Sequence, residues 1–96
     1  MTITLHFKGT TAALAGNPFG KEIFNTQVLP YIPSPEENVE IVFPPQIRNV
    51  TSSFIQGFFD YWLRTLRDDE IRDRITVKSD NEKVISYIWK NVRREE

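Results

Sequence analysis

Three short runs along this chain alternate their side chains with a period of two, and each is followed by a segment with helical spacing. Ile3, Leu5 and Phe7 alternate with Thr2, Thr4 and His6. Val39, Ile41 and Phe43 share one face of a second run, with Glu40 and Val42 on the other. Ile75 and Val77 alternate with Thr76 and Lys78 in a third. Strands covered by helices on both faces read as near-continuous apolar runs. Alternation therefore predicts a sheet with helices mainly on one face and a second face that is at least partly open. Right-handed crossovers that proceed in one direction along a sheet place their helices on one side. The expected fold class is α/β, in the order β-α-β-α-β-α, with a small sheet that is largely parallel or mixed. The pattern leaves the strand order open.

The elements can be bounded by their punctuation. Strand one covers about residues 2–8, and residues 9–16 read as a loop or a short extra strand. Helix one runs from about Pro18 to Leu29, with Asn17 as N-cap and Pro18 at the first helical position, where a missing N–H costs nothing. Its apolar stripe is Phe19, Ile23, Phe24 and Val28, with Tyr31 as a further candidate. Pro30, Pro33 and Pro35 forbid its continuation, so residues 30–38 form a connecting loop. Strand two, Val39 to Phe43, stops at Pro44-Pro45, which cannot donate to a ladder. Helix two runs from about Ser53 to Arg67. At about 100° per residue its apolar residues, from Phe54 to Leu66, cover an arc of roughly 200°, wider than a half-buried helix needs. It is either wedged between neighbours or keeps an aromatic edge free for something else. Strand three covers about Asp73 to Lys78. Ser79-Asp80-Asn81-Glu82 matches a capping box with Ser79 as cap and Glu82 reaching back. Helix three then extends to about Val92, burying Val84, Ile85, Ile88, Trp89 and Val92, before a polar, frayed end at residues 93–96.

The length of 96 residues fits one domain spanning 1–96. Twelve aromatics, seven of them Phe, give so short a chain a large core payload. The net charge is −1, whereas nucleic-acid binders carry a basic excess that neutralises phosphates. Arg64, Arg67, Arg72 and Arg74 lie close in sequence, but Asp60, Asp68, Asp69, Glu70 and Asp73 are interleaved with them, as on a solvated mixed-charge face. There is no Cys, so disulfides and thiolate chemistry are excluded. Met1-Thr2-Ile3-Thr4 lacks the basic segment and long apolar run of a signal peptide. No apolar stretch approaches the roughly 20 residues that span a bilayer. The expected location is cytoplasmic, with no membrane contact.

Catalytic patterns are missing. His6 is the only His, and it falls on the outward face of strand one. A Cys–His pair, a His-rich metal site and a metalloprotease motif are therefore impossible. Nothing around Ser52 or the other serines resembles a nucleophile elbow. Gly9, Gly16, Gly20 and Gly57 are too scattered to cradle a phosphate or dinucleotide, so no cofactor is expected. Asp68-Asp69-Glu70 reads as a charged turn. The chain is expected not to be an enzyme.

The informative segment is Asn49-Val50-Thr51-Ser52-Ser53-Phe54, at the start of helix two. One hydroxyl can cap the helix by accepting from a free N–H. Capping explains one hydroxyl well and three less well. Phosphorylation is the functional alternative, since a phosphate is favoured at a helix N-terminus and adds about −1.5 to −2 charges.

These residues carry a resemblance. Val39-Glu40-Ile41-Val42-Phe43, followed by Val50-Thr51-Ser52-Ser53-Phe54-Ile55-Gln56-Gly57-Phe58-Phe59, resembles the bacterial STAS-like domain family of unknown function. The likeness covers about Leu14 to Trp89, and its specific part is Thr-Ser-Ser-Phe. Such domains are similar to anti-sigma-factor antagonists, in which a Ser at this helix start is phosphorylated by a partner kinase of the GHKL ATPase type, breaking the complex. The resemblance implies a non-enzymatic regulatory module. It places the phospho-acceptor at Ser52, with Ser53 as the neighbouring candidate and Thr51 where the antagonists carry Asp. Thr51, Phe54 and Tyr61 are the expected partner contacts. The alternatives are a homodimer, built on the aromatic edge of helix two or the open sheet face, and a nucleic-acid accessory using the four arginines.

Overall fold

The computed structural model describes residues 1–92, and the predicted polar end at 93–96 lies outside them. The element order is β1 (Thr2–Thr4), β2 (Ala13–Leu14), α1 (Asn17–Gln27), a 3-10 turn (Leu29–Tyr31) where the end of helix one and the start of its loop were expected, β3 (Val39–Val42), β4 (Asn49–Val50), α2 (Ser52–Thr65), α3 (Asp68–Arg74), β5 (Ile75–Lys78) and α4 (Glu82–Asn91). The protein is α/β. Its main sheet is parallel throughout, in the order β1-β3-β5, so each crossover moves one strand over in the same direction.

The sheet buries one face. Ile3, Leu5, Val39, Ile41, Phe43, Ile75 and Val77 point into the core, while Thr2, Thr4, Thr76 and Lys78 are exposed. On the open face Glu40 accepts from the Thr2 hydroxyl at 3.3 Å and pairs with Lys78 at 3.2 Å. Helices mainly on one side of the sheet, as the alternation predicts, account for this pattern.

Strand one is shorter than the predicted 2–8. Its ladder ends once the Leu5 N–H has bonded the Val42 carbonyl at 2.9 Å, because β3 runs out at Pro44. The His6 backbone turns instead to the Gln27 side chain, which accepts from its N–H and donates to its carbonyl, each at 2.8 Å.

A second, two-stranded parallel sheet joins β2 to β4, which gives residues 9–16 their extra strand and adds one that the spacing does not show. It anchors the starts of two helices. Gly16, at φ 96, turns β2 into α1, and Thr51 turns β4 into α2. Asn17 is not the cap of α1, since it already lies within the helix and Gly16 precedes it without a side-chain cap bond.

Helix α2 is wedged rather than edged. Phe54, Ile55, Phe58, Phe59, Trp62 and Leu63 are all buried, and Trp62 has no exposed surface. Its rings meet Phe19 and Phe24 of α1, Phe43 beside the sheet and Trp89 of α4, with centroids 4.9–6.2 Å apart. The 200° apolar arc is thus consumed by three neighbours. α1 crosses α2 at two glycines. A Cβ at Gly20 would overlap the Phe54 carbonyl and lie 2.8 Å from the Phe58 nitrogen; one at Gly57 would overlap the Asn17 carbonyl.

The charged segment after α2 is not a turn. Asp68, Asp69 and Glu70 form the first turn of α3, and Arg72 and Arg74 its last, both favourable to the helix dipole. The strand predicted from Asp73 therefore begins at Ile75. Likewise Asn81, not Ser79, caps α4: its side chain accepts from the Lys83 N–H at 3.0 Å, while Ser79 accepts from the Asn81 N–H.

Candidate functional site

The three consecutive hydroxyls at the start of α2 do three different things. Thr51 is the N-cap, and its Oγ1 accepts from the Phe54 N–H at 3.3 Å. Ser53 Oγ accepts from the Gly16 N–H at 3.3 Å and lies 3.1 Å from Thr51 Oγ1. It therefore ties the start of α1 to the start of α2, and it satisfies a backbone donor that the left-handed Gly16 turn leaves open. Ser52 is exposed, and its hydroxyl makes no hydrogen bond to any described residue. Capping thus accounts for one hydroxyl and loop anchoring for a second, leaving one over.

Ser52 lines a cleft of about 630 Å³ with Arg48, Asn49, Val50, Thr51, Asn81, Lys83, Val84 and Tyr87. β4 and the residue before it deliver Val50 and Arg48 to one wall, and the first turns of α4 deliver Lys83, Val84 and Tyr87 to the other. Val50 and Val84 are buried at its floor, and Tyr87 is 42% exposed at its rim. Arg48 and Lys83 take part in no ion pair among the described residues. Lys83 belongs to the first turn of α4 and Arg48 to the residue before β4, so neither stood out by spacing. Only a register linking β4 to α4 would have brought them together.

The other predicted site residues separate. Phe54 is 1% exposed and stacks on Phe58, with centroids 5.9 Å apart, so it is a core residue and not a contact. Tyr61 is half-buried, its ring 5.4 Å from Phe24. No free aromatic edge remains on α2. The four arginines are individually engaged. Arg64 pairs with Asp60 at 2.9 Å, and Arg67 with Asp69 and Glu70 at 3.4 and 3.5 Å. Arg72 lies 5.2 Å over the Trp89 ring, and Arg74 donates to the Glu36 carbonyl. His6 is exposed at the sheet edge. Among the described residues no three His, Asp or Glu side chains converge as metal ligands would. No described helix is long and apolar enough to cross a membrane.

No family model, curated protein or solved structure matches the chain.

Proposed function

We propose that this protein is a STAS-like, non-enzymatic regulatory module of the bacterial cytoplasm that binds a protein partner through the N-terminal end of α2 and is switched by phosphorylation of Ser52. The partner is a kinase or ATPase of the GHKL type. One observation carries the assignment of the acceptor: of three adjacent exposed hydroxyls, Ser52 alone makes no hydrogen bond among the described residues, whereas Thr51 caps α2 and Ser53 ties it to the Gly16 turn. A phosphate there joins the start of a 14-residue helix, where free N–H groups and the dipole favour an anion. It adds about −1.5 to −2 charges to a cleft that holds Arg48 and Lys83. The test is partner capture by Ser52→Ala and Ser52→Asp forms of the full chain. Capture retained by the first and lost by the second supports the switch; equal capture by both sinks it.

The second reading is a homo-oligomer through the free edge of β1. The Met1 carbonyl and the Leu5 N–H point towards β3, so alternation directs the backbone groups of Thr2 and Thr4 outward. Met1 and Tyr31, 53% and 62% exposed, stand beside that edge around a groove of about 430 Å³. A sedimentation mass that stays monomeric at high concentration rules this reading out.

A further inference from the structure

We infer that the cleft between β4 and α4 is a docking surface for an acidic, apolar-anchored segment of a protein partner. Among the described residues its lining contains two cations, Arg48 and Lys83, and no carboxylate. By contrast, Arg64, Arg67 and Lys78 are paired with acids, and Arg72 and Arg74 donate to backbone carbonyls. In a chain of net charge −1, two neighbouring cations without a carboxylate between them select against a basic partner.

The floor gives the second half of the chemistry. Val50 and Val84 close the bottom, and Tyr87 is one of only a few large apolar side chains exposed among the described residues. A Leu- or Phe-sized side chain laid there would cover the Tyr87 ring. On the far side of Tyr87 a groove of about 410 Å³ continues the surface past Ser86 to Lys90, with Glu82 as its acid among the described residues. Counted over the described residues, the track thus carries three cations to one anion, spaced around an apolar centre. A nucleic acid would require more: strong phosphate binders neutralise about 6–10 phosphates.

The surface does not depend on phosphorylation, but its coupling to Ser52 rests on the switch proposed above. A phosphate on Ser52 would occupy the same cleft and satisfy the cations that the acidic segment needs.

The test is an NMR titration of the labelled full chain with a synthetic peptide of alternating glutamate and leucine. A peptide with lysine in place of glutamate and an oligo-dT strand serve as controls. The expected result is movement of the Arg48, Val50, Lys83 and Tyr87 amides with the glutamate peptide alone. Affinity should fall about tenfold in Arg48→Glu/Lys83→Glu, two exposed charge contacts being reversed, and weaken with added salt. Tyr87→Ala, at an exposed position, gives an independent loss should the double variant fold poorly. Shifts elsewhere, no shifts, or equal shifts with the lysine peptide overturn the proposal, and tighter binding of oligo-dT overturns it in favour of a nucleic acid. Equal peptide binding by Ser52→Asp upholds the surface and removes only the switch.

Discussion

Replacing Gly57 with alanine should destabilise the protein although alanine is the better helix former. Gly57 sits in the middle of α2, where Ala in place of Gly gains about 1 kcal/mol of helix propensity. The new methyl group, however, would overlap the Asn17 carbonyl oxygen and lie 2.9 Å from its carbon and 3.0 Å from its Cα. All three atoms are backbone, so no rotamer change relieves the clash, and the first turn of α1 has to move. Overpacking of this kind costs typically about 1–3 kcal/mol, occasionally more. Contact with rigid backbone puts the cost at the upper end, leaving a net loss of about 1–2 kcal/mol. For a domain of this size each kcal/mol moves Tm by roughly 4–8 °C, so Tm should fall by roughly 4–16 °C. Circular dichroism melts measure this directly. Gly9→Ala is the control, because nothing lies within 4 Å of its Cβ position and the substitution restricts only the unfolded chain. It should be neutral or slightly stabilising. Gly20→Ala meets backbone of α2 from the other side, so combining it with Gly57→Ala should cost less than the sum, the helices having already separated. A Tm for Gly57→Ala equal to or above that of the parent would refute the close crossing of α1 and α2.

Other perturbations follow from the same contacts. Thr51→Ala should lose about 1 kcal/mol with the N-cap bond, measured by urea denaturation, whereas Ser52→Ala should stay within about 0.5 kcal/mol because its hydroxyl holds nothing. Gln27→Ala removes both bonds to the His6 backbone, so the His6 amide should exchange markedly faster with solvent while the core amides of β3 keep their protection. Trp62→Phe should cost well under the roughly 3–5 kcal/mol expected of Trp62→Ala, since the Trp62 indole N–H is buried without a hydrogen-bond partner and its removal leaves nothing unsatisfied.

The main sheet was legible in the sequence because one open face makes strands alternate, and Ile3, Val39, Ile41, Ile75 and Val77 all turned inward as their period predicts. β2 was one of two readings open for residues 9–16, and β4 did not show, because two residues each are too few to show a period. α3 was missed because it carries a single buried residue, Ile71, although its acidic first turn and basic last turn are a helix signature. The caps were misplaced by one or two residues for a common reason. Asn17 and Ser79 are good cap types, but Gly16 and Asn81 are the residues whose backbones make the turns. At the candidate site the sequence located the hydroxyl cluster without apportioning its roles. Those depend on Gly16, a residue far away along the chain. Phe54 looked like a contact because an arc of apolar side chains cannot reveal how many neighbours will cover it. Arg48 and Lys83 come together only through the fold.

Ser52 is the hydroxyl of the three that makes no hydrogen bond among the described residues, and phosphorylation there is the switch proposed for it. The most direct measurement is site-localising mass spectrometry on the protein isolated from its native host, together with whatever co-purifies. Cleavage after Arg48 and Arg64 releases Thr51, Ser52 and Ser53 on one peptide. Phosphate on Ser52, in a fraction depleted of the partner kinase or ATPase, is the predicted result. Phosphate confined to Thr51 or Ser53, or a partner released from protein that carries no phosphate on this peptide, would contradict it.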